Sequence, residues 1–212
     1  MTIDRAAWPF VLVAALPATA SLLFGAHPGI IAILAVLPIA IALFFRDPNR
    51  TAPADPSLVL SPADGTIMHA GPARPGEAPA GEWKQVTIFL SVLDVHINRT
   101  PVAGRVTRVE YIPGAFRAAF HHDAHSNERS EIWIDHGGVT IVTRQVVGML
   151  ARRVVCRVKP GDALAPGQRI GLMKFGSRMD VFVPASAEVL VQKGGKVRAA
   201  ETVVARLAAA RS

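Results

Sequence analysis

Two acidic residues and one histidine are spaced so that they can do acid–base chemistry. Asp94 and His96 are separated by a single apolar residue, and residues two apart in a β-strand point to the same face. A histidine oriented by a carboxylate is an effective general base near neutral pH. Asp64, followed by a glycine, supplies a further carboxylate earlier in the chain. Residues of these types at this spacing are compatible with a site that moves protons, and they are equally open to structural interpretations.

Taken singly, these segments also have ordinary structural interpretations. Asp64-Gly65 is typical of a plain β-turn, and a histidine between two apolar neighbours is typical of a structural side chain. Gly176-Ser177, inside a strand-like region, predicts a tight exposed bend, and most such pairs are ordinary turns. The segment His121–His125 resembles a metal cluster, because its first and last histidines would share one face of a helix.

Short apolar runs rich in β-branched residues surround these segments and predict strands. They are bounded by glycine, proline, aspartate or asparagine. Residues 71–81 are rich in glycine, proline and alanine and predict an exposed loop. We therefore expect an α+β fold that is mainly β, with a β-sandwich or barrel-sandwich core. The strand-like runs are Val59–Leu60, Val86–Leu90, Arg105–Ile112, Ile132–Ile134, Val139–Thr143, Val154–Val158 and Val181–Val183.

The beginning of the chain is apolar and predicts a helical hairpin. No charged residue occurs from Trp8 to Ala26 or from Gly29 to Phe45, and His27–Gly29 separates the two runs with turn chemistry. As helices the runs would be roughly 28 Å and 25 Å long, slightly short of a hydrocarbon core of about 30 Å. We expect residues 1–50 to form a membrane-associated hairpin and residues 51–212 to form the second domain. A secretory signal peptide and a buried soluble hairpin are the alternatives.

Charge predicts that the second domain lies on the cytoplasmic side of the cell membrane. Cations flank the hairpin at Arg5, Arg46 and Arg50, and its short connection has none. By the positive-inside rule both ends of the hairpin are then cytoplasmic. The single acid and single base of residues 1–45 cancel, so the net charge of +7 belongs to residues 46–212. Each cation near an anionic leaflet contributes about 1 kcal/mol of attraction.

Composition excludes several classes of protein. Half of the residues are hydrophobic and only 18% are charged, whereas a disordered chain needs low hydrophobicity and high charge. The single cysteine, Cys156, excludes an intramolecular disulfide framework and a thiolate-rich metal site. No basic cluster is interleaved with aromatic residues, so we expect membrane lipid rather than nucleic acid as the partner.

Three motifs in a fixed order give the chain a resemblance to a known family. They are Leu60–Gly65 (LSPADG), Phe89–Pro101 (FLSVLDVHINRTP) and Lys174–Arg178 (KFGSR). Together with the apolar amino terminus and the position of Ser177 near the carboxyl end, they closely resemble phosphatidylserine decarboxylase proenzymes of the short prokaryotic type. The resemblance covers essentially the whole chain.

The resemblance implies a self-processing lyase that converts phosphatidylserine to phosphatidylethanolamine and CO2 in phospholipid biosynthesis. Ser177 would cut the Gly176–Ser177 bond, and the large chain (residues 1–176) and small chain (residues 177–212) would form a heterodimer. Ser177 would end as a pyruvoyl group, the cofactor, which forms a Schiff base with the substrate amine and accepts electron density as CO2 leaves. No metal or diffusible cofactor is implied.

The resemblance also implies catalytic roles for Asp64, Asp94, His96 and Ser177. Asp64 matches the acidic residue of the family's S-P-x-D-G motif, and His96 matches its histidine segment. Longer members carry a second histidine three positions later, where this chain has Arg99, and an arginine cannot act as a base at physiological pH. Either His96 serves both self-cleavage and reprotonation, or another histidine supplies one of these roles.

Substrate binding is less sharply implied. Ser126–Arg129 resembles a family segment near the substrate, so Arg129 is a candidate for the lipid phosphate, although a structural ion pair suits it equally well. Arg99 is a second candidate. Because the family needs no metal, we expect none at His121–His125. The choice between a glycerophospholipid and an archaeal ether lipid stays open.

A carrier or adaptor domain is the alternative function. Lys174, flanked by the turns at Val158–Asp162 and Gly194–Val197, resembles the modified lysine of biotinyl and lipoyl carriers. A membrane-anchored adaptor built on such a sandwich is the same idea without the modification. Neither would need the Asp64 and His96 segments. A carrier would stay one chain and gain mass on its lysine, whereas a decarboxylase would split.

Overall fold

The structure is a computed structural model that describes residues 1–117, 126–148, 154–174 and 177–208. The described part is mainly β with a helical amino-terminal region, which confirms the predicted fold class. The chain divides into a first unit, Met1–Asn49, and a second unit, Arg50–Ser212. The described elements, in chain order, are β1 (Thr2–Ile3), a 3-10 helix (Arg5–Ala7), α1 (Trp8–Leu23), α2 (Pro28–Phe44), β2 (Arg46–Asp47), β3 (Leu58–Leu60), β4 (Gly65–Pro72), β5 (Trp83–Leu90), β6 (Ile97–Arg99), β7 (Gly104–Ile112), β8 (Arg129–His136), β9 (Val139–Val146), β10 (Val154–Cys156), β11 (Ala163–Leu164), β12 (Arg169–Met173), β13 (Ser177–Pro184), β14 (Glu188–Val189), β15 (Lys196–Val197) and β16 (Val203–Arg206).

The first unit is a pair of apolar helices that pack on each other. Pro28 opens α2, where its missing N–H costs no helical hydrogen bond. His27 caps the same helix, since its Nδ1 accepts a hydrogen bond from the backbone N–H of Gly29 at 3.1 Å. The segment Arg5–Leu23 is apolar and long enough to cross a membrane, and little of it is buried. The second apolar helix is shorter, with 17 residues.

The second unit is built on an eight-stranded antiparallel sheet that curls into a half-barrel. Its strand order is β11-β7-β8-β9-β13-β5-β4-β15, so β13 lies between β9 and β5. Two smaller sheets, β10-β12-β6 and β14-β16-β3, accompany it. The hydrophobic core draws on the main sheet and on both small ones.

Strand β13 is buried on both faces, and the two faces differ in chemistry. Met179, Val181 and Val183 belong to the hydrophobic core. Because side chains alternate along a strand, Arg178 and Asp180 point to the opposite face, where they are 2% and 0% exposed. Buried charges are costly unless they are paired, so this face requires partners from elsewhere in the chain.

The connection between β4 and β5 supplies one of these partners. Glu77 is only 7% exposed, so the prediction of an exposed loop over residues 71–81 is wrong at its centre. The Glu77 carboxylate accepts hydrogen bonds from Arg178 and from the Nε2 of Gln85, the latter at 3.1 Å. The Nη1 of Arg144 donates to the backbone oxygen of Glu77 at 2.6 Å. The loop therefore covers the polar face of the sheet.

Candidate active site

Ser177 and Asp64 lie at the same end of the central strands. Ser177 is the first residue of β13 and pairs with Leu90, the last residue of β5. Strand β4 begins at Gly65, beside the end of β5, so Asp64 immediately precedes this edge. Neighbouring strands are about 4.8 Å apart, which puts the backbone of Ser177 roughly 10 Å from the start of β4.

His96 reaches the same edge through the small sheet that contains β6 and β12. The backbone N–H of Met173 donates to the carbonyl oxygen of His96 at 3.2 Å. Ser177 follows Met173 after a short connection, and the pairing partner of Ser177, Leu90, precedes His96 by another short connection. One connection runs from Leu90 to His96 and the other from Met173 to Ser177. Leu90 is paired with Ser177 and His96 with Met173, so His96 and Ser177 lie at the same end of the fold.

The ring of His96 is oriented as a base. The residue is 1% exposed, and its Nδ1 lies 2.9 Å from the backbone oxygen of Asp94. A carbonyl oxygen only accepts hydrogen bonds, so Nδ1 carries the proton. In the neutral imidazole the basic lone pair is then on Nε2, which is also shielded from solvent.

Neither Asp94 nor His96 lies in a strand, so the prediction that a strand directs both side chains to one face is wrong. Strand β6 begins at Ile97, and Asp94 lies in the bend before it. The Oδ2 of Asp94 accepts hydrogen bonds from the backbone N–H of Ser91 at 2.8 Å and from its Oγ at 2.7 Å. Asp94 thus orients His96 through its backbone carbonyl, while its carboxylate closes the turn that starts at Ser91.

Asp64 is held by two partners in a largely buried position. Its Oδ2 accepts a hydrogen bond from the Nη2 of Arg50 at 2.7 Å, and its Oδ1 accepts one from the backbone N–H of Ala199 at 2.8 Å. Burial raises the pKa of Asp64 above its ordinary value, although the Ala199 hydrogen bond and the Arg50 charge both lower it. The nearby charge of Asp94 adds to the rise. Arg50 therefore limits a pKa that burial pushes upward.

The hydroxyl of Ser177 is buried and makes no hydrogen bond to a described residue. Ser177 is 0% exposed, and its Oγ has no hydrogen-bond partner among the described residues. Buried polar groups are usually satisfied, so such a group calls for an explanation. A hydroxyl that no hydrogen bond restrains is available to react. Gly176, predicted to be its target, lies outside the described residues.

The residue after Ser177 is anchored by two carboxylates. The Nε of Arg178 donates to the Oδ1 of Asp180 at 2.8 Å, and its Nη2 binds Glu77. The Oγ1 of Thr87 donates to the same Asp180 oxygen at 2.8 Å. Burial raises the pKa of both carboxyls, but the Arg178 charge outweighs it and holds each pKa below its ordinary value. The start of β13 is thereby fixed in place.

The two arginines predicted to bind substrate have partners within the protein. The Nη1 of Arg99, a buried residue, donates to the carbonyl oxygen of Gly167 at 3.0 Å. The Nε of Arg129 lies 3.3 Å from a carboxylate oxygen of Glu131. The segment His121–His125 falls outside the described residues. Within the described part of the chain, no group of three or more histidine, cysteine or acidic side chains is placed to hold a metal ion.

A cavity of about 350 Å³ opens beside the two aspartates. The side chains that matter for its chemistry are those of Asp64, Asp94, Lys196, Arg198 and Thr202. Two other cavities of the described residues lie elsewhere, one along the loop between β4 and β5 and one around Trp83, and neither is lined by Asp64 or Asp94.

Sequence reasoning missed two anchoring residues of this site. Arg50 was interpreted only as a cation flanking the hairpin, and Glu77 only as part of a loop. Their partners, Asp64 and Arg178, are distant in sequence, so no local spacing reports these pairs. The sequence did contain one signal of a buried charged cluster, because Arg178 and Asp180 are two residues apart in a predicted strand region and must share a face.

Comparison with known proteins identifies relatives that match most of the chain. The family model for phosphatidylserine decarboxylase matches residues 37–205. A phosphatidylserine decarboxylase proenzyme of Symbiobacterium thermophilum is 46% identical over 207 residues, which cover 97% of this chain and 95% of the relative. A proenzyme of the same name from Burkholderia multivorans is 40% identical over 97% of this chain and 96% of the relative. Another, from Chlorobium chlorochromatii, is 43% identical over 77% of each chain.

Proposed function

Because the chain belongs to the phosphatidylserine decarboxylase family, we propose that it is a proenzyme that cuts itself between Gly176 and Ser177. The product would then convert phosphatidylserine to phosphatidylethanolamine and CO2. The observation that carries this proposal is the Ser177 hydroxyl, which is fully buried and has no hydrogen-bond partner among the described residues. It lies at the sheet edge where Asp64 and His96 also lie.

In the proposed cleavage, the Oγ of Ser177 loses its proton to a base and attacks the carbonyl carbon of Gly176. The peptide nitrogen leaves that carbon, and an ester forms in its place. Elimination then removes the proton on the α-carbon of Ser177 and releases the Gly176 carboxylate, leaving dehydroalanine. Water converts dehydroalanine to the ketone with loss of ammonia. Glycine suits the acyl side, because no side chain crowds the carbonyl.

His96 is the base that we propose for the first step. Its Nδ1 is committed to the Asp94 carbonyl, so Nε2 is the atom that accepts the proton. Arg99 cannot do so, because a guanidinium stays protonated. Substrate contacts by Arg99 and Arg129 remain predictions, since each guanidinium has a partner within the protein.

The residues around Ser177 fit a pyruvoyl group at that position. The buried hydroxyl has no competing hydrogen bond among the described residues, and Arg178 fixes the chain directly after it. When formed, the group supplies a ketone that captures the substrate amine and takes up the electron pair released with CO2. The protein's part is to exclude water through burial and to provide His96 Nε2 as the atom that takes up and returns a proton.

Intact-protein mass spectrometry on freshly purified material tests the proposal. We expect two chains, residues 1–176 and 177–212, of which the smaller has a blocked, ketone-bearing end. Adding phosphatidylserine should release CO2 and phosphatidylethanolamine. A correctly folded sample that stays a single chain and is inactive would contradict the proposal.

The cut chains would form a heterodimer on the cytoplasmic side of the membrane. Supporting the first point, β13 pairs on both sides with strands that precede residue 176. Supporting the second, the apolar segment Arg5–Leu23 is long enough to span a bilayer, and the flanking cations are those of a cytoplasmic hairpin. In sealed inside-out vesicles added protease should digest the second unit, and protection of that unit would contradict the orientation.

We propose that self-cleavage requires Asp64 in its ionised form, and the pH dependence of the cleavage rate tests this role. If ionised Asp64 is required, the rate should rise with pH through a pKa above the ordinary aspartate value, because burial raises that pKa. Arg50→Met removes a charge that lowers it, so the acidic limb of the rate profile should move to higher pH. Stability should change in the opposite sense: ionising a carboxyl whose folded-state pKa is raised costs stability as the pH increases.

The measurement follows freshly synthesised precursor on denaturing gels at a series of pH values. Arg206→Met is the matched control, because Arg206 pairs with Asp55 at the surface at 3.7 Å, and its profile should match that of the parent. An unshifted acidic limb in Arg50→Met would exclude Asp64 as the titrating group.

The carrier alternative is separated from the decarboxylase by the same mass spectrum. A carrier would keep one chain and gain mass on Lys174, whereas the decarboxylase loses the bond before Ser177. The family membership and the cluster of Asp64, His96 and Ser177 at one edge favour the decarboxylase.

A further inference from the structure

We propose that the cavity beside Asp64 and Asp94 binds the phosphodiester of the lipid substrate through Lys196 and Arg198. This inference rests on the proposed function, which supplies the substrate. Both cations line the cavity, and both are exposed. They come from β15 and the residue that follows it, in the part of the sequence that would form the small chain.

Neither Lys196 nor Arg198 is ion-paired with the two carboxylates that line the same cavity. Asp64 is bound by Arg50 and by the backbone N–H of Ala199, and the carboxylate of Asp94 is bound by Ser91. The side chains of Lys196 and Arg198 make no ion pair or hydrogen bond within the described residues. An anion that enters this cavity therefore finds two available cations, and arginine in particular suits a phosphate oxygen pair.

The distance from these cations to Ser177 suits one headgroup. Val197 pairs with Gly65 at the start of β4, and Ser177 pairs with Leu90 at the end of β5. Strands β15, β4, β5 and β13 are adjacent in that order, so Val197 and Ser177 lie about 14 Å apart along the sheet edge. Lys196 and Arg198 flank Val197 at this edge, and in the proposed complex the phosphoserine headgroup extends from them along the edge with its amine toward Ser177.

A lipid surface, rather than free phosphate, is the source that the neighbouring turn favours. Val92 and Leu93 are 53% and 83% exposed, in the turn that the Asp94 carboxylate closes. Asp94 also lines the cavity. Exposed aliphatic side chains beside basic ones are typical of a surface that dips into the boundary between headgroups and acyl chains.

The inference predicts how the enzyme recognises its substrate. The phosphodiester fixes one end of the headgroup, so the amine is presented to residue 177 in one orientation. Free serine has the amine and carboxylate but no phosphate, and it should therefore be a poor substrate. Lys196 and Arg198 thus act in binding and orientation, and not in the proton transfers assigned to His96.

The test uses Lys196→Met and Arg198→Met, which keep a long apolar stem and remove the charge. Binding of soluble glycerophosphoserine is followed by phosphorus NMR, and decarboxylation is measured with monomeric short-chain phosphatidylserine and with neutral phosphatidylcholine vesicles carrying the long-chain lipid. Losing a charge-assisted hydrogen bond should weaken glycerophosphoserine binding and raise KM by about tenfold to a hundredfold, with kcat little changed. Lys193→Met, an exposed lysine outside the cavity lining, is the matched control for net charge.

Each outcome decides the question. Weaker glycerophosphoserine binding in both cavity variants, but not in Lys193→Met, supports the subsite. Unchanged binding and KM would overturn it, and so would a change seen only with vesicles, which assigns the cations to the membrane surface. Competition by inorganic phosphate as strong as that by glycerophosphoserine would overturn the assignment to the headgroup. Mass spectrometry reports cleavage separately, so an uncut chain that still binds glycerophosphoserine through these residues refutes the proposed function and not the subsite.

Discussion

Replacing Ser177 by alanine is expected to leave the chain uncut, inactive and fully folded. Without the hydroxyl no nucleophile remains to open the preceding peptide bond, so both cleavage and decarboxylation should fall below detection. Stability should not fall with them. The Oγ makes no hydrogen bond to any described residue, and removing a buried, unsatisfied polar group leaves no partner stranded. Intact mass and a cooperative thermal transition measure the two effects together.

Ser186→Ala is the matched control for this experiment. Ser186 belongs to the same carboxyl-terminal segment but is exposed, so its variant should split and decarboxylate as the parent does. A Ser177→Ala chain that is still cut at the same bond would refute the role of the hydroxyl. A chain that fails to fold would show that Ser177 has a structural role which the described contacts do not reveal.

Replacing Glu77 by glutamine is expected to cost about 3 kcal/mol of unfolding free energy. The substitution keeps the shape of the side chain but removes one of the two carboxylates that neutralise Arg178. Arg178 is 2% exposed, so water cannot take the place of the lost charge. Urea unfolding in the uncut Ser177→Ala background gives the comparison between single chains. Since the unfolding free energy of a domain is about 5–15 kcal/mol, this loss is a large fraction of its total stability.

The sign of the pH dependence makes the Glu77 prediction specific. Arg178 holds the pKa of Glu77 below its ordinary value. The Glu77 carboxylate therefore stabilises the folded state at pH values above the pKa of the unfolded state, and this stabilisation is lost as the pH falls through the pKa of the folded state. The difference in unfolding free energy between Glu77→Gln and its parent should therefore become smaller in acid. Glu82→Gln, an exposed residue of the same loop, should show no gap at neutral pH. A constant gap across pH would mean that packing, and not charge, carries the effect.

Strands of this fold were predictable from the sequence where β-branched residues cluster. They were not predictable where close contact between backbones determines that a strand forms. The runs at Val86–Leu90 and Val139–Thr143 lie within β5 and β9. Strand β12 is not among the apolar runs from which strands were predicted, and Gly171 lies within it. In the structure a Cβ at Gly171 would lie 2.1 Å from the backbone oxygen of Val155, so glycine is what allows β10 and β12 to approach. Such close approach leaves no periodic signal in the sequence.

The candidate site divides in the same way. Asp64, His96 and Ser177 were predicted from three ordered motifs that resemble a known family, and in the structure they lie toward one edge. The pair Arg50–Asp64 and the pair Glu77–Arg178 join segments that are far apart in sequence, and only the tertiary fold defines them. The geometry of Asp94 also depends on tertiary context, since its carboxylate turns back to Ser91 where an isolated strand pattern predicts a shared face with His96.

The central position of β13 has a consequence for the life of the molecule. The strand is hydrogen-bonded to β5 and β9 along most of its length, and the proposed cut falls at its first residue. Before the cut, unfolding is a unimolecular reaction that a single chain can reverse. Afterwards the same sheet is an association of two molecules, and its melting temperature should depend on protein concentration. In a denatured mature enzyme the two chains would have to meet by diffusion before β13 could pair again. In the precursor the covalent connection keeps β13 close to its partners, so only a loop has to close.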